Sequence, residues 1–301
     1  MKTFTSVVSI ALSASTVFAS APSTSGTQWT KTLLLDDFTG GSGAAPNSNN
    51  WILQTGTQYT GGPAQWGTGE IETYTTSGNN IRQAGNGDLW IIPQKSSSGA
   101  WTSARMESKL NNFAAPAGGK MRVEASIMMP NVTAANGAGY WPAFWMLGGQ
   151  FRSNYTNWPA VGEVDIMEAV NGGNTQSNTV LHCDVNPGGK CDETTGLSVQ
   201  ATCQGSTCSG NFHIYEVVID RTTSPESVKY WLDRQLVHTI TATDLGATVW
   251  NQTFHQGFYL ILNVAMGGGY PNAVAGTTTP TSATVGGYQM AVDYVAVWTT
   301  G

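Results

Sequence analysis

The sequence predicts an all-β chain folded as an antiparallel sandwich or jelly roll, and three observations carry that expectation. No stretch beyond the N-terminal segment keeps a 3.6-residue apolar period through three helical turns. Short alternating or apolar runs recur instead, at Leu33–Leu35, Leu89–Ile92, Lys120–Met129, Glu163–Val170, Phe212–Ile219, Val228–Leu232, Phe258–Ala265 and Met290–Trp298. Gly, Asn, Pro and Ser separate these runs, the composition of turns between antiparallel strands.

Taken in order, the chain opens on a leader. Met1-Lys2 supplies a short positive start, and residues 7–18 form an apolar and small-residue run. Val17-Phe18-Ala19 predicts cleavage after residue 19, with Ala19-Ser20-Ala21 as a second site after 21. The run is too short to span a bilayer; a buried N-terminal strand is the competing reading. Residues 20–27 form a Ser/Thr-rich lead-in and residues 40–50 a surface loop. With neither repeat nor linker, one domain is expected over residues 28–300. Gly257–Gly267 is apolar but brief and reads as a buried strand, so the expected protein is secreted and extracellular, with no membrane span.

The cysteines agree with export. Cys183, Cys191, Cys203 and Cys208 form an even, clustered set, which in an exported chain predicts two disulfides. The short loops favour 183–191 and 203–208, and the other two connectivities remain open. Their spacings match no usual zinc site. Asn131, Asn154 and Asn251 open sequons that accept N-glycans in a host with that machinery.

Composition narrows the partner. A net charge of −6 argues against nucleic acid, which requires a basic face. Only 11% of residues are charged, while there are 11 tryptophans. That balance suits an uncharged ligand with flat apolar faces, as sugars are.

The most informative segment is Glu163-Val164-Asp165-Ile166-Met167-Glu168. Alternation on a strand puts Glu163 and Asp165 on one face, with Val164 and Ile166 in the core. Strict alternation would bury Glu168 there as well, at a cost of several kcal/mol for a lone carboxylate. A bulge at Ile166-Met167 returns Glu168 to the acidic face, so the spacing itself predicts a bulge. The backbones of Glu163 and Glu168 then lie roughly 13–16 Å apart. Two inward-leaning glutamates can close that to the ~5–5.5 Å of a pair that cleaves glycosidic bonds with retention. Asp165 between them would raise its neighbours' pKa values by like charge, favouring one protonated and one ionised glutamate. A solvated acidic strand or a calcium site is the alternative.

Upstream, Tyr140-Trp141-Pro142-Ala143-Phe144-Trp145 supplies aromatics that can stack on pyranose faces. Trp141 and Trp145 are the candidates for substrate contact, and Phe144 for the core. Arg105 lies in an alternating run and can bond the nucleophile or a sugar hydroxyl, or form an ion pair. His182, on the strand after the carboxylates, can reach the same face or serve structure alone.

These residues resemble glycoside hydrolase family 16, and Glu163-x-Asp165-x-x-Glu168 is similar to the bulged motif of its laminarinase-like branch. The resemblance runs over nearly the whole mature chain. It includes Leu35-Asp-Asp37-Phe, Gly69-Glu-Ile-Glu72-Thr-Tyr, Thr102-Ser-Ala-Arg105, Trp141-Pro-Ala-Phe-Trp145, Leu181-His182, Phe212-His-Ile-Tyr215, Tyr259-Leu-Ile-Leu-Asn263 and Val292-Asp293-Tyr-Val295.

It implies a concanavalin A-like β-jelly roll of two bent sheets with an open cleft. It also implies Glu163 as nucleophile, Asp165 as its helper and Glu168 as acid/base. Arg105, Trp141, Trp145 and His182 fall where relatives contact glucan. Ala104 stands where relatives often have Gly, with no functional consequence expected, and the four-cysteine insert resembles that of some fungal relatives. No cofactor is required, though a structural calcium near Asp37 and Asp293 is a further implication.

The expected activity is hydrolysis of internal β-1,3-glucosidic bonds, extending to mixed 1,3/1,4-glucan, by a monomer with a bell-shaped, acidic pH profile. A transglycosylase and a non-catalytic glucan-recognition protein are the alternatives. The xyloglucan branch usually has the unbulged spacing, and recognition proteins lose one or both glutamates. Agar- or carrageenan-cutting relatives share the bulge, but sulfated substrates call for more cations than the 13 Lys and Arg here.

Overall fold

A computed structural model describes residue 21, residues 27–173 and residues 175–300. The expected leader over residues 1–19 lies outside the described residues, as does most of the 20–27 lead-in.

In chain order the strands are Lys31–Asp36 (β1), Trp51–Gln54 (β2), Thr73–Tyr74 (β3), Ile81–Gln83 (β4), Leu89–Ile91 (β5) and Gln94–Lys95 (β6). There follow Trp101–Ser103 (β7), Arg105–Ser108 (β8), Lys120–Met128 (β9), Tyr140–Gly148 (β10), Glu163–Glu168 (β11) and Gln176–His182 (β12). The last six are Leu197–Thr202 (β13), Phe212–Asp220 (β14), Ser227–Leu232 (β15), Gln235–Thr241 (β16), Phe258–Met266 (β17) and Met290–Thr299 (β18). Three short helices, Ala242–Leu245 (α1), Ala247–Phe254 (α2) and Gly269–Ala275 (α3), sit in the connections. Among the described residues the longest has eight residues, in keeping with a sequence that shows no three-turn helical period there.

Two large antiparallel sheets make the jelly roll that the sequence predicts. One has eight strands in the order β16-β15-β14-β9-β18-β5-β4, with β1 also paired to β18. The other has seven, in the order β13-β12-β11-β10-β17-β8-β2. A third, small sheet joins β3, β7 and β6.

Alternate residues of the facing strands fill the space between the large sheets. Val123, Ala125, Ile127, Val217 and Ile219 come from one side, and Phe144, Met146, Leu260, Leu262 and Val264 from the other, all buried. Each such aliphatic or aromatic side chain contributes about 1.5–3 kcal/mol relative to exposure. A smaller aromatic cluster around Tyr59, Phe151, Val161, Tyr259 and Ile261 builds up one end of the outer face of the seven-stranded sheet.

The eight runs read from the sequence all lie on strands, with ends shifted by a residue or two. The nine-residue strand β10 emerges only in the fold. Its Pro142 is a residue that argues against a central strand, but it lies beyond Ala143, the last residue of β10 paired with β11.

The disulfides join Cys183 to Cys191 and Cys203 to Cys208, the pairing that loop length favours. Asn131, Asn154 and Asn251 are exposed. No helix of the described residues is long and apolar enough to cross a membrane.

Candidate active site

The outer face of the seven-stranded sheet carries the carboxylates, and the bulge puts them there. Against β10, Glu168 stands opposite Ala143, Met167 opposite Phe144 and Asp165 opposite Trp145, so Ile166 is the extra residue. Against β12, Asp165 faces Val180 and Glu168 faces Asn178, which leaves Ile166 and Met167 to share one position. Both are buried in the core with Val164, whereas Glu163, Asp165 and Glu168 emerge on the other side.

Each glutamate is held by a tryptophan. The Trp158 indole donates to Glu163 Oε2 at 3.1 Å, and the Trp141 indole donates to Glu168 Oε1 at 2.8 Å. His182, paired with Glu163 across the ladder, brings Nε2 to 3.5 Å from Asp165 Oδ2. One polar side-chain atom from each of Glu163, Asp165 and His182 falls within 4.8 Å of the others.

This crowding is electrostatically costly, and protonation relieves it. Burial pushes Glu163 up to about 7; His182 opposes the rise, Glu168 adds to it, and the Trp158 hydrogen bond opposes it. Burial, then the charges of Glu163, Glu168 and Glu193, hold Asp165 well above the usual carboxylate range. Burial also raises Glu168, against the Trp141 hydrogen bond and His182. Burial and mutual repulsion therefore favour the neutral form of carboxyls on this face, Asp165 among them. With Glu163 ionised and Glu168 protonated, the same face presents a nucleophile and an acid.

Of the other residues read from the sequence, Trp141 and Trp145 lie four apart on β10, both partly exposed on the carboxylate face, while Phe144 is in the core. Trp145 donates to Asn263 Oδ1 at 2.8 Å. Arg105 is only 4% exposed, and its bonds go to Glu107 (3.1 Å) and the Tyr59 hydroxyl (2.7 Å), not to Glu163. Its guanidinium lies 4.7 Å from the centre of the Trp66 ring and 4.9 Å from that of Trp145. It therefore props the aromatic floor from beneath, between the ion pair and the substrate contact that the sequence left open.

Several residues of this face had not been singled out. Trp158 comes from the connection before β11. Tyr270 of α3 packs edge-on against Trp141 at 5.6 Å and accepts a 2.5 Å hydrogen bond from Asn178. Tyr59 and Trp66 come from the β2–β3 connection and meet at 4.7 Å. Glu70 and Glu72, already part of a segment that carries the resemblance but given no role there, form a second buried acid pair, with Glu72 pushed up to about 7 by burial although the Met266 amide donates to it at 2.7 Å. Glu193 bonds His182 at 2.7 Å. Their signals in the sequence were single residues in turn-rich segments, with no period to mark a face.

On the opposite sheet, Asp293 has one buried carboxylate oxygen without a partner, and so does Asp88. Burial, then the charges of Asp88 and Asp37, push Asp293 up to about 6. Oxygen donors with unspent lone pairs and mutual repulsion fit a hard divalent cation such as calcium. Cys203, His213 and Asp233 also converge, but Cys203 is tied up in its disulfide.

A family model described as "XgeA-like, catalytic GH16 domain" matches residues 91–218. The crystal structure of an endo-1,3-beta-glucanase from Streptomyces sioyaensis superposes with a TM-score of 0.89 at 48% identity, covering 94% of this chain and 99% of that one. A glucan endo-1,3-beta-glucosidase from Cryptopygus antarcticus is 31% identical over 247 residues, 78% of this chain and 80% of that protein. Glucan endo-1,3-beta-glucosidase A1 of Niallia circulans is 27% identical across 85% of this chain, which spans only 36% of that longer protein.

Proposed function

The chain belongs to glycoside hydrolase family 16, and from that premise we propose that it is a retaining endo-β-1,3-glucanase acting on laminarin-type glucan and extending to mixed 1,3/1,4-glucan. The observation that carries the reading is the bulged strand β11, which sets Glu163, Asp165 and Glu168 on one face with a tryptophan N–H on each glutamate.

The chemistry follows from those positions. Glu163 attacks the anomeric carbon as Glu168 gives its proton to the departing glycosidic oxygen. A covalent glycosyl ester on Glu163 results. Glu168, now ionised, takes a proton from water, and that water displaces Glu163 to give a product of unchanged configuration. Asp165, whose neutral form burial and its neighbours favour, lies on the same face as Glu163 and stabilises the carboxylate when the ester breaks. Trp141 and Trp145 form the platform for the sugar rings, His182 stands beside the carboxylates, and Arg105 supports Trp145 from beneath.

Two further assignments belong to this reading. Asp37, Asp88 and Asp293 would hold a structural calcium on the far sheet. The two disulfides and three exposed sequons support export to an oxidising compartment.

The test is sugar release from laminarin, lichenan, xyloglucan and agarose by the wild type and by Glu168→Gln. Short oligosaccharides from laminarin, lost in the variant, support the reading. Glucan binding without release from any substrate would turn it to a recognition protein.

A further inference from the structure

The four-cysteine insert has no part in the chemistry above, yet its first loop touches the reactive face. The Cys183–Cys191 disulfide closes a loop that contains Gly188. Gly188 and Glu193 exchange both backbone hydrogen bonds, at 2.7 and 2.6 Å, so the disulfide loop fixes the main chain of Glu193. The side chain of Glu193 is buried, with Oε1 accepting the Cys183 amide at 2.8 Å and Oε2 lying 2.7 Å from His182 Nδ1. Gly196 brings the chain back over the imidazole. It has φ +75°, and a Cβ there would meet His182 Cε1 at 2.8 Å and Val180 Cγ1 at 2.4 Å. The close approach admits only glycine.

We propose that Glu193, held by the Cys183–Cys191 loop, is a positioning residue that orients His182, turning its Nε2 toward Asp165 and so setting the electrostatics of the nucleophile site. The proposal rests on the glucanase reading and deepens it. Its logic is one of donors and acceptors. A carboxylate only accepts, and its first oxygen is occupied by the Cys183 amide, so Nδ1 must carry its proton. Nε2 is then the atom turned to Asp165, whose Oδ2 has no hydrogen bond among the described residues.

The groups facing His182 are Glu193 from the loop, Asp165, Glu163 and Glu168 from β11, and the Trp158 ring at 5.6 Å. Burial alone would lower the imidazole pKa. The bond to Glu193, with the charges of Glu163, Glu193 and Glu168, reverses this and raises it. A charged His182 in turn favours the ionised form of Glu163. Without Glu193 the imidazole sheds its proton at lower pH, and the lost pull of His182 on Glu163, larger than the direct repulsion by Glu193 that is removed with it, leaves Glu163 needing a higher pH to ionise.

Glu193→Gln tests this. The two bonds use different carboxylate oxygens, and glutamine replaces one of them with an NH2 that cannot accept, so the variant disrupts one bond at nearly constant volume. Laminarin hydrolysis by the variant is expected to fall about 10–100-fold in kcat with KM within about twofold, the cost of misplacing a reacting group. The acidic limb of its pH profile is expected to move to higher pH. A kcat and acidic limb equal to those of the wild type, with only a lower Tm, would overturn the proposal, because a purely structural loop alters stability alone.

If the variant does not fold, 15N NMR of the wild-type imidazole decides. Nδ1 protonated throughout, with titration above an ordinary histidine, sustains the proposal. The Nε2–H tautomer or ordinary titration sinks it. A wild type that cleaves no glucan would defeat the glucanase reading separately, while the imidazole spectrum would still test the Glu193–His182 bond.

Discussion

Trp141 donates its indole N–H to Glu168, 2.8 Å from Oε1, although the two residues are 27 positions apart. The bulge in β11 makes this bond possible, because it restores Glu168 to the face that Trp141 already occupies. The bond stabilises the ionised glutamate and so works against the burial that raises its pKa. Trp141→Phe keeps the ring and removes the donor. The variant is expected to hold its Glu168 proton to higher pH, moving the basic limb of the kcat/KM profile upward; an unmoved limb would detach Trp141 from acid catalysis.

Glu163→Gln should abolish turnover while leaving glucan bound. The loss expected is at least about 10⁴-fold in kcat, the scale on which removing a covalent nucleophile acts. Isothermal titration with a laminari-oligosaccharide measures binding, and reducing-sugar assays measure turnover. An active variant would remove the nucleophile assignment.

The same substitution should stabilise the protein at neutral pH. Glu163, Glu72 and Glu216 each have a folded pKa of about 7 against an unfolded value of 4.5. Between those values the folded state binds more protons than the unfolded one, so stability falls as pH rises through that window. Depressed groups such as Asp220 and Asp233 act oppositely, losing their contribution as pH falls through the acidic range. Tm should therefore peak in mildly acidic solution and decline toward pH ~7. In Glu163→Gln that decline should be shallower, as scanning calorimetry across pH can show.

Arg105→Lys should be poorly tolerated despite keeping the charge. Lysine cannot bond Glu107 and Tyr59 in the guanidinium's fork geometry, nor lie flat against Trp66 and Trp145. Arg105→Ala, which leaves Glu107 without this partner, is expected to cost about 3–5 kcal/mol in urea unfolding. KM for laminarin should rise in both variants as Trp145 loses its support.

Calcium removal should act on stability and leave the reaction intact. EDTA is expected to lower Tm, and excess calcium to restore it, by linkage to the folded state. Asp293→Asn should remove the calcium response; a Tm indifferent to both reagents would dismiss the site.

Much of this architecture was legible beforehand, for identifiable reasons. Period-2 alternation is local, so strands such as β9, β14 and β17 show their faces directly in the residues. The bulge was legible because its absence would bury Glu168, a cost that no neighbouring residue in the segment offsets. Loop length favoured one disulfide pairing without excluding the other two, and the structure has the favoured one.

Long-range partners were not legible. Trp158, Tyr270, Glu193 and the Arg105–Glu107–Tyr59 network owe their places to loops and to strand order, where sequence separation carries no information about distance. By itself the sequence determined the all-β class, the carboxylate motif with its bulge and the family, because each rests on short segments whose residues are close together in the chain, the family on several such segments at once. Only the tertiary structure decided which group holds each carboxylate and which side chain supports His182, because hydrogen bonds and burial depend on what the fold brings within about 3 Å.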